Sequence, residues 1–343
     1  MMNKFGPILK DFLEYEGIGV KEFASRIDTS PKNLIDILNG NIEISQNMIY
    51  NISFITGIPV SYIENVENNF KLDKKIDDLL KEENINIRDY INRFHYKELT
   101  KEYGISFTND RNDYSIAKDI LKYLRISNPK SLYKENNSIF YKSKNDKVEL
   151  LAIWLEKCYR IAKEQQIKEY TKENIETLVT FIKEEALKNE FDEKKLIHKF
   201  NENGIYLVIQ DDLKGSKIRG AFKVFNDKPA IYLTKKHKRI ADIYFALLHE
   251  LAHCKSDFNR AKSGSMVSYL DENDSAIYEK EADAKAFNWL VENTIYDEIK
   301  ENKDCVLDKR VVPAFLVYRM AYDKIISYSS KLYQKYNIVI RDK

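Results

Sequence analysis

Residues 245–254 read FALLHELAHC, and apolar side chains recur through them at three- and four-residue spacing. This period is typical of an α-helix, which we expect to begin near Arg239. His249 and His253 are four residues apart, so such a helix places them one above the other on one face. Two imidazoles in this arrangement bind one Zn²⁺, and Glu250 projects beside the metal, where it can accept a proton from a bound water. The segment therefore predicts a zinc site of the H-E-x-x-H type.

A third ligand is expected from a second helix, predicted over residues 276–293. A catalytic zinc binds three protein ligands and keeps one position open. Glu279 and Asp283 are four residues apart, so one can bind the metal while the other accepts a hydrogen bond from the free N–H of a ligand. We favour Glu279 as the ligand and Asp283 as the outer acceptor. Glu281 lies about 200° around the helix from Glu279 and does not share its face.

The remaining histidines and one neighbouring cysteine are assigned no chemistry. His95, His198 and His237 have no partner pattern, which favours structural or surface roles. Cys254 follows a proposed ligand directly, but the next residue on a helix points about 100° away. We expect it to be an inert, partly buried thiol.

β-structure is predicted just before the H-E-x-x-H helix. Residues 205–209 are typical of a buried strand, and residues 221–225 and 230–233 flank a polar turn as in a β-hairpin. We find no other convincing β region. The expected fold class is α+β, mostly helical, with a small sheet beside the metal-binding helix.

The first residues are typical of a small helical bundle. Short apolar-periodic segments follow one another over residues 8–69 and are separated by turn signals. Thr29 or Ser30 is placed to cap a helix whose first position is Pro31, a favoured place for proline.

The chain is predicted to have three parts: residues 1–70 as a helical bundle, 71–195 as a helical middle region, and 196–343 as the metal-binding domain. Within the middle region, the polar stretch 128–146 is the best candidate for a loop or linker, anchored by the apolar residues 139–141.

Composition excludes several classes of protein. The 343 residues are 43% hydrophobic and 32% charged, with only 10 Gly and 6 Pro, which is typical of a folded chain of about two domains. No apolar stretch approaches the roughly 18 residues of a membrane span, the first residues do not resemble a secretory signal, and three scattered cysteines do not form a disulfide framework. We expect a cytoplasmic protein with no membrane partner.

The charge distribution does not favour strong binding to phosphate. Residues 1–69 contain five Lys and Arg and nine Asp and Glu, which gives 5 − 9 = −4, while the whole chain carries +2. No part of the chain has the concentrated basic stripe that phosphate neutralisation requires.

The H-E-L-A-H segment, the strands before it and the E-x-E-A-D pattern at residues 279–283 together resemble the ImmA/IrrE family of metallo-endopeptidases. The resemblance implies zinc ligands at His249, His253 and Glu279, a general base at Glu250, and Asp283 as a residue that orients a ligand. The leucine-leucine-methionine-proline ending that is typical of the family is replaced at residues 287–291, which predicts an altered substrate cleft. An extended substrate is expected to add as a strand to the edge formed by residues 221–233.

Residues 23–41 (FASRIDTSPKNLIDILNGN) and 57–70 (GIPVSYIENVENNF) resemble the XRE family of helix-turn-helix proteins, particularly the HigA antitoxin type. The resemblance implies DNA contacts from Ser30, Lys32 and Asn33, and a homodimer that binds paired half-sites. The chain departs from this family at Val20, where a phosphate-binding Gln is frequent, and at Ile35, where a small hydroxyl residue is usual. DNA and a protein partner are both retained as ligands of this module.

These observations lead to two hypotheses about function. The first is a zinc-dependent endopeptidase with a regulatory helix-turn-helix module, which cleaves a repressor or antitoxin protein to control transcription in a stress, phage or mobile-element response. The second is a DNA-binding repressor or antitoxin whose zinc domain is a sensor or another non-proteolytic unit. An intact Glu250 favours the first, because a purely structural zinc site has no use for a general base.

Overall fold

The computed structural model describes residues 2–135, 139–140, 147–188, 190–211, 214–216, 218–236, 239–269, 277–301 and 305–340. These residues are mostly helical and include a small mixed sheet, as the sequence predicts. They form two compact units: residues 1–90 with 109–118, and residues 91–108 with 119–343. The functional division at residues 70 and 195 stays a prediction. No described helix has both the length and the hydropathy needed to cross a bilayer.

The helices that begin before residue 90 are α1 (Phe5–Glu16), α2 (Val20–Arg26), α3 (Pro31–Leu38), α4 (Gln46–Thr56), α5 (Val60–Lys81) and α6 (Ile87–Arg93). The later described helices are α7 (Tyr96–Tyr103), α8 (Asp113–Leu124), α9 (Pro129–Glu135), α10 (Val148–Glu164), α11 (Asn174–Leu187), α12 (Glu193–Glu202), α13 (Ile240–Ser256), α14 (Phe258–Ala261), α15 (Ile277–Leu290), α16 (Asn293–Ile299), α17 (Pro313–Tyr322) and α18 (Lys331–Tyr336), with a 3-10 turn at Cys305–Leu307.

In the first unit, α2 and α3 are joined by a short turn that ends at a helix cap. The Asn33 N–H donates to Ser30 Oγ at 3.1 Å, and Pro31 occupies the first helical position, so Ser30 is the cap. Helices α1 and α3 meet closely at Gly6, where a Cβ would lie 1.9 Å from the Ile37 carbonyl oxygen. Only glycine fits that contact.

The start of α1 is held by a carboxylate from α5. Glu67 is buried, and one of its oxygens accepts hydrogen bonds from the backbone N–H groups of Lys4 and Phe5 at 2.8 and 2.7 Å. The carboxylate thus satisfies donors that an α-helix leaves unpaired at its N-terminus, and its charge suits the positive end of the helix dipole.

The sheet of the second unit contains four strands and a two-residue addition at one edge. Its members are β1 (Ile139–Phe140), β2 (Tyr206–Ile209), β3 (Ile218–Phe225), β4 (Lys228–Leu233) and β5 (Ser265–Tyr269), in the order β1-β5-β3-β4-β2. β3 is antiparallel to both β4 and β5, whereas β2 is parallel to β4 and β1 is parallel to β5.

The predicted hairpin of β3 and β4 is confirmed, together with the strand β2. Its two-residue turn consists of Asn226 and Asp227, whose φ angles of 50° and 56° suit the tight turns of hairpins. Two expectations were wrong. β5 and β1 were not predicted, and most of the proposed edge is already paired: among the described strands, β5 pairs with β3 over residues 218–222, and β2 pairs with β4 over residues 230–233. A substrate strand cannot pair with the hairpin over these residues.

The predicted linker over residues 128–146 is only partly a loop. Residues 129–135 form α9, and residues 139–140 pair with β5, while residues 136–138 and 141–146, which include Tyr141, lie outside the described residues. The expected anchoring by apolar side chains at residues 139–141 stays a prediction. The helix was missed because its seven residues are dominated by polar side chains.

Helix α13 is the centre of the second unit. Every residue from Ile240 to Cys254 except Asp242 is buried, so the helix is covered on all sides and not only on the face that the three- and four-residue spacing marks. It packs against the sheet through β3 and β4 and against α11, α15 and α17. A helix that is apolar all round belongs to the interior of a large core. Its few polar residues are therefore placed in a dry environment.

Candidate metal centre

Three potential metal ligands converge between α13 and α15. His249 and His253 come from α13, Glu279 comes from the first turn of α15, and all three are buried. The two His Nε2 atoms lie 3.1 Å apart, and they lie 3.0 Å (His249) and 3.1 Å (His253) from the two Glu279 carboxylate oxygens. One ligand atom from each residue falls within a group no wider than 4.8 Å. This buried group could hold a metal ion.

The donor set and its dimensions fit a small divalent cation. Two imidazole nitrogens and one carboxylate oxygen are ligands that zinc accepts, and three protein ligands leave a coordination position open. Ligand atoms around a tetrahedral zinc with bonds of about 2.0–2.1 Å lie roughly 3.3 Å apart. The separations here are a few tenths of an ångström shorter, so small outward shifts of the side chains would admit the ion.

Each histidine is held by a carboxylate on its far side. The His249 ring contacts Asp283 (Nδ1 to Oδ1, 2.8 Å), and the His253 ring contacts Asp257 (Nδ1 to Oδ2, 3.0 Å). When Nε2 binds a metal, Nδ1 carries the proton and donates to these acceptors, which fixes the tautomer and the ring orientation. The sequence predicted Asp283 in this place and missed Asp257. The signal for Asp257 was its position four residues after His253.

The electrostatics of the group favour protonated histidines when no metal is bound. Burial opposes charge on His249, but its hydrogen bonds to Asp283 and Glu279 outweigh burial and raise its pKa to about 10. The pKa of His253 is raised in the same way by Asp257 and Glu279, against burial. Burial also opposes charge on Glu279, yet the two histidines hold its pKa well below the usual range. A metal ion must therefore displace protons in order to bind.

Glu250 is fully buried on α13 and lies against the backbone of β3. A Cβ built on Gly220 would lie 2.6 Å from Glu250 Oε1 and 3.0 Å from the Tyr232 carbonyl oxygen. The absence of a side chain at Gly220 therefore provides the space that this carboxylate occupies. Sequence reasoning missed Gly220, although a glycine inside a strand is a known signal of close approach.

The other candidates have different positions. Glu281 is exposed on α15 and lies away from the histidines, whereas Glu279 is buried beside them. His95 is half-buried at the start of α7 and His198 is exposed on α12, in agreement with structural or surface roles. His237 lies outside the described residues.

Cys254 is more deeply buried than predicted, with no exposed surface. The α13 helix is enclosed on every side, so the position next to a ligand also points into the core. Burial raises the pKa of the thiol to about 12, and the thiol contacts Tyr170 (Sγ to Oη, 3.4 Å). The expected inert character follows from this burial.

The three candidate DNA-contact residues lie in the first unit, at the start of α3. The Ser30 hydroxyl accepts the capping hydrogen bond, and the Asn33 amide donates to Thr29 Oγ1 at 2.9 Å. Lys32 is exposed. Two of these side chains are thus engaged within the turn that joins α2 to α3, and Lys32 is the one that extends freely into solvent.

Searches against protein-family models, curated proteins and solved structures find no match to this chain.

Proposed function

We propose that this protein is a zinc-dependent endopeptidase. The observation that supports the proposal is the buried group of His249, His253 and Glu279, with Glu250 on the same helix as the histidines. A purely structural site needs four ligands and no adjacent carboxylate, while a hydrolytic site needs three ligands and a general base.

A zinc ion bound there would polarise a peptide carbonyl and lower the pKa of a water molecule. Glu250 accepts the proton of the attacking water and returns it to the leaving amine. Asp283 and Asp257 keep the imidazoles in one tautomer and one orientation. The dry surroundings of α13 strengthen each of these electrostatic interactions.

The substrate class follows from the two resemblances. We propose that the target is a helix-turn-helix repressor or antitoxin, and that the first unit directs or regulates the peptidase. Cleavage of such a protein would change transcription in a stress, phage or mobile-element response. Transcriptional repressors and antitoxins are cytoplasmic in bacteria, so we propose that this protein acts in the cytoplasm.

The first experiment measures metal content. Zinc per chain is determined by elemental analysis for wild type, Glu279→Ala and Glu281→Ala, all purified without a chelating tag. We expect about one zinc in wild type and in the Glu281 variant, and loss in the Glu279 variant, because Glu279 contacts both histidines. Circular dichroism controls for folding. No zinc in any sample, even after supplementation at neutral pH, would refute the proposal.

The second experiment measures cleavage. Zinc-loaded wild type and Glu250→Gln are incubated with candidate helix-turn-helix repressors, and new peptide termini are identified by mass spectrometry. Gln has nearly the shape of Glu but cannot take up the proton, so we expect cleavage to be lost while zinc is retained. Equal cleavage by both proteins would point to a contaminating protease.

A DNA-binding regulator is the second candidate function, and the observation that favours it is the α2–turn–α3 arrangement with its capped third helix. If this function holds, a labelled DNA duplex from the upstream region of the coding sequence should bind with an affinity that falls steeply with salt. Lys32→Gln should weaken this binding, and Lys10→Gln serves as a matched control on α1. Absence of salt-dependent binding would leave the first unit as a protein-binding module.

A further inference from the structure

Arg219 is a partly buried arginine that has no ion-pair partner among the described residues. It precedes Gly220 on β3, and its Nε is buried without a hydrogen-bond partner. A guanidinium carries five donors and stays charged, so leaving it partly desolvated without an acceptor is costly. Such a group is suited to an acceptor that comes from outside the chain.

Irregular backbone on β3 accompanies this side chain. The pairing of β3 with β5 shifts register between Ile218 and Gly220, so Arg219 lies at a bulge. A bulge interrupts the alternation of side chains along a strand and redirects one of them. The Arg219 guanidinium carbon lies 5.4 Å from the centre of the Phe245 ring, on α13. The Arg219 guanidinium thus lies over a side chain of the helix that carries the two histidines.

A mostly buried aromatic cluster connects Arg219 with the metal centre. The Phe245 ring lies 6.2 Å from the His249 ring and 4.5 Å from the Phe287 ring. Tyr322 packs on Phe287 at 4.4 Å, and its hydroxyl lies 3.4 Å from Asp283 Oδ2. Tyr322 is about half exposed, so the cluster reaches solvent at this residue.

The charge of Arg219 acts on this same cluster. Burial and the neighbouring Asp283 carboxylate raise the pKa of Tyr322, and Arg219 acts in the opposite direction. Burial likewise raises the pKa of Asp242, with Arg219 again opposing. Arg219 acts on Asp242 from a distance, and the Asp242 Oδ1 accepts hydrogen bonds from Tyr333 Oη and Asn337 Nδ2, both at 3.1 Å. No described carboxylate forms a direct ion pair with the Arg219 guanidinium.

We propose that Arg219 binds a carboxylate of the peptide substrate, so that the metal centre acts preferentially on a substrate with an acidic group. This inference rests on the proposed function, since it takes the metal centre as the place of cleavage. The guanidinium offers two parallel donors to one carboxylate, and the Phe245 face supports its plane. The carboxylate comes either from an acidic side chain or from a chain terminus.

The test uses paired zinc-binding probes that differ only in a carboxylate. Succinic, glutaric and adipic monohydroxamates each bind zinc through the hydroxamate and carry a free carboxylate at one of three distances. Their methyl esters lack the charge. Dissociation constants are measured by calorimetry on the zinc-loaded full chain for wild type, Arg219→Gln, Arg219→Lys and Lys223→Gln. Lys223 lies on the same strand and controls for the loss of one positive charge.

In wild type, at least one acid should bind about tenfold or more tightly than its ester, as expected for one charge-assisted hydrogen-bonded pair. Arg219→Gln should abolish this preference without weakening the esters, Arg219→Lys should keep part of it, and Lys223→Gln should behave as wild type. Equal binding of acids and esters to wild type, or a preference that survives in Arg219→Gln, overturns the proposal. Failure of zinc or of every ester to bind overturns the proposed function, and the inference with it.

Two blocked dipeptides then identify the source of the carboxylate. One has a glutamate side chain and an amidated terminus, and the other has a leucine side chain and a free terminus. Each dipeptide is compared with a neutral analogue in which its carboxylate is replaced by an amide. The dipeptide that carries the recognised carboxylate should displace the preferred acid from wild type. On Arg219→Gln it should have no stronger effect than its neutral analogue. Displacement by neither contradicts a peptide carboxylate as the ligand.

Discussion

Gly220→Ala would place a methyl group in the space that the Glu250 carboxylate occupies. The new Cβ would lie 2.6 Å from Glu250 Oε1, whereas ordinary contact begins at 3.4 Å, so the carboxylate must retreat by about 0.8 Å (3.4 − 2.6). The Tyr232 carbonyl oxygen, at 3.0 Å, limits movement of β3 in the other direction. Overpacking of this kind lowers the free energy of unfolding by about 1–3 kcal/mol. Alanine has less conformational entropy than glycine in the unfolded chain, and this difference offsets about 0.4–1 kcal/mol of that loss.

The assay is a double-mutant cycle on stability, which needs no substrate. Urea unfolding followed by circular dichroism is measured for wild type, Gly220→Ala, Glu250→Asp and the double variant, with zinc and with chelator. Aspartate is one methylene shorter, so its carboxylate withdraws from the position of the new Cβ. We expect Gly220→Ala to cost about 1–2 kcal/mol in the wild-type background and much less in the Glu250→Asp background, a coupling of about 1 kcal/mol. Where a cleaved substrate is known, a displacement near 1 Å of the general base should lower cleavage about 100-fold with zinc retained.

The cycle can contradict this reasoning in two ways. If Gly220→Ala leaves stability unchanged, the space beside Glu250 is larger than the contact implies. If its cost is the same in the wild-type and Glu250→Asp backgrounds, the strain arises elsewhere on β3, and Gly220 has no specific relation to the carboxylate.

Three further predictions concern other groups. Asp257→Asn should weaken zinc binding about 10- to 100-fold, measured by competition with a chromophoric chelator, because His253 loses its anionic acceptor; the exposed Asp297→Asn should have no effect. The pKa of His249 is raised to about 10, so protonated His249 stabilises the metal-free protein fully below pH 6.5, and this stabilisation is lost as pH rises towards about 10. Chelator-treated protein should therefore lose stability over that range. Zinc binding at pH 7 should release protons, which calorimetry in several buffers can measure. Glu67→Ala should cost about 1–3 kcal/mol and lower hydrogen-exchange protection of α1, while Glu67→Gln should retain part of the cap; unchanged protection in both would show that the cap is dispensable.

The parts that sequence reasoning predicted are those with strong local signals. The 3.6-residue period around His249 and His253 predicts α13, and the polar turn of the hairpin predicts β3 and β4. The four-residue spacing of Glu279 and Asp283 places both on one face of α15, and the structure brings that face to the histidines. In each case the deciding residues are close together in the chain.

The parts that sequence reasoning missed depend on contacts between distant residues. Met266 and Val267 are the only strongly apolar side chains of β5, and its pairing with β3 joins residues more than forty positions apart. Gly220 faces Glu250 only because the sheet packs on α13. Asp257 was the exception, since its spacing from His253 is local and would have sufficed.

The three candidate ligands come from two helices that are separated in the chain. A metal ion held by His253 and Glu279 would bind only while α15 lies against α13, so free metal at 100 times its dissociation constant would stabilise that arrangement by about 2.7 kcal/mol. Metal supply would then determine how long the protein survives as well as whether it is active. In a cell with little free zinc, α15 would separate from α13 more often and expose its buried face to cellular proteases. The amount of this protein would then depend on the zinc concentration.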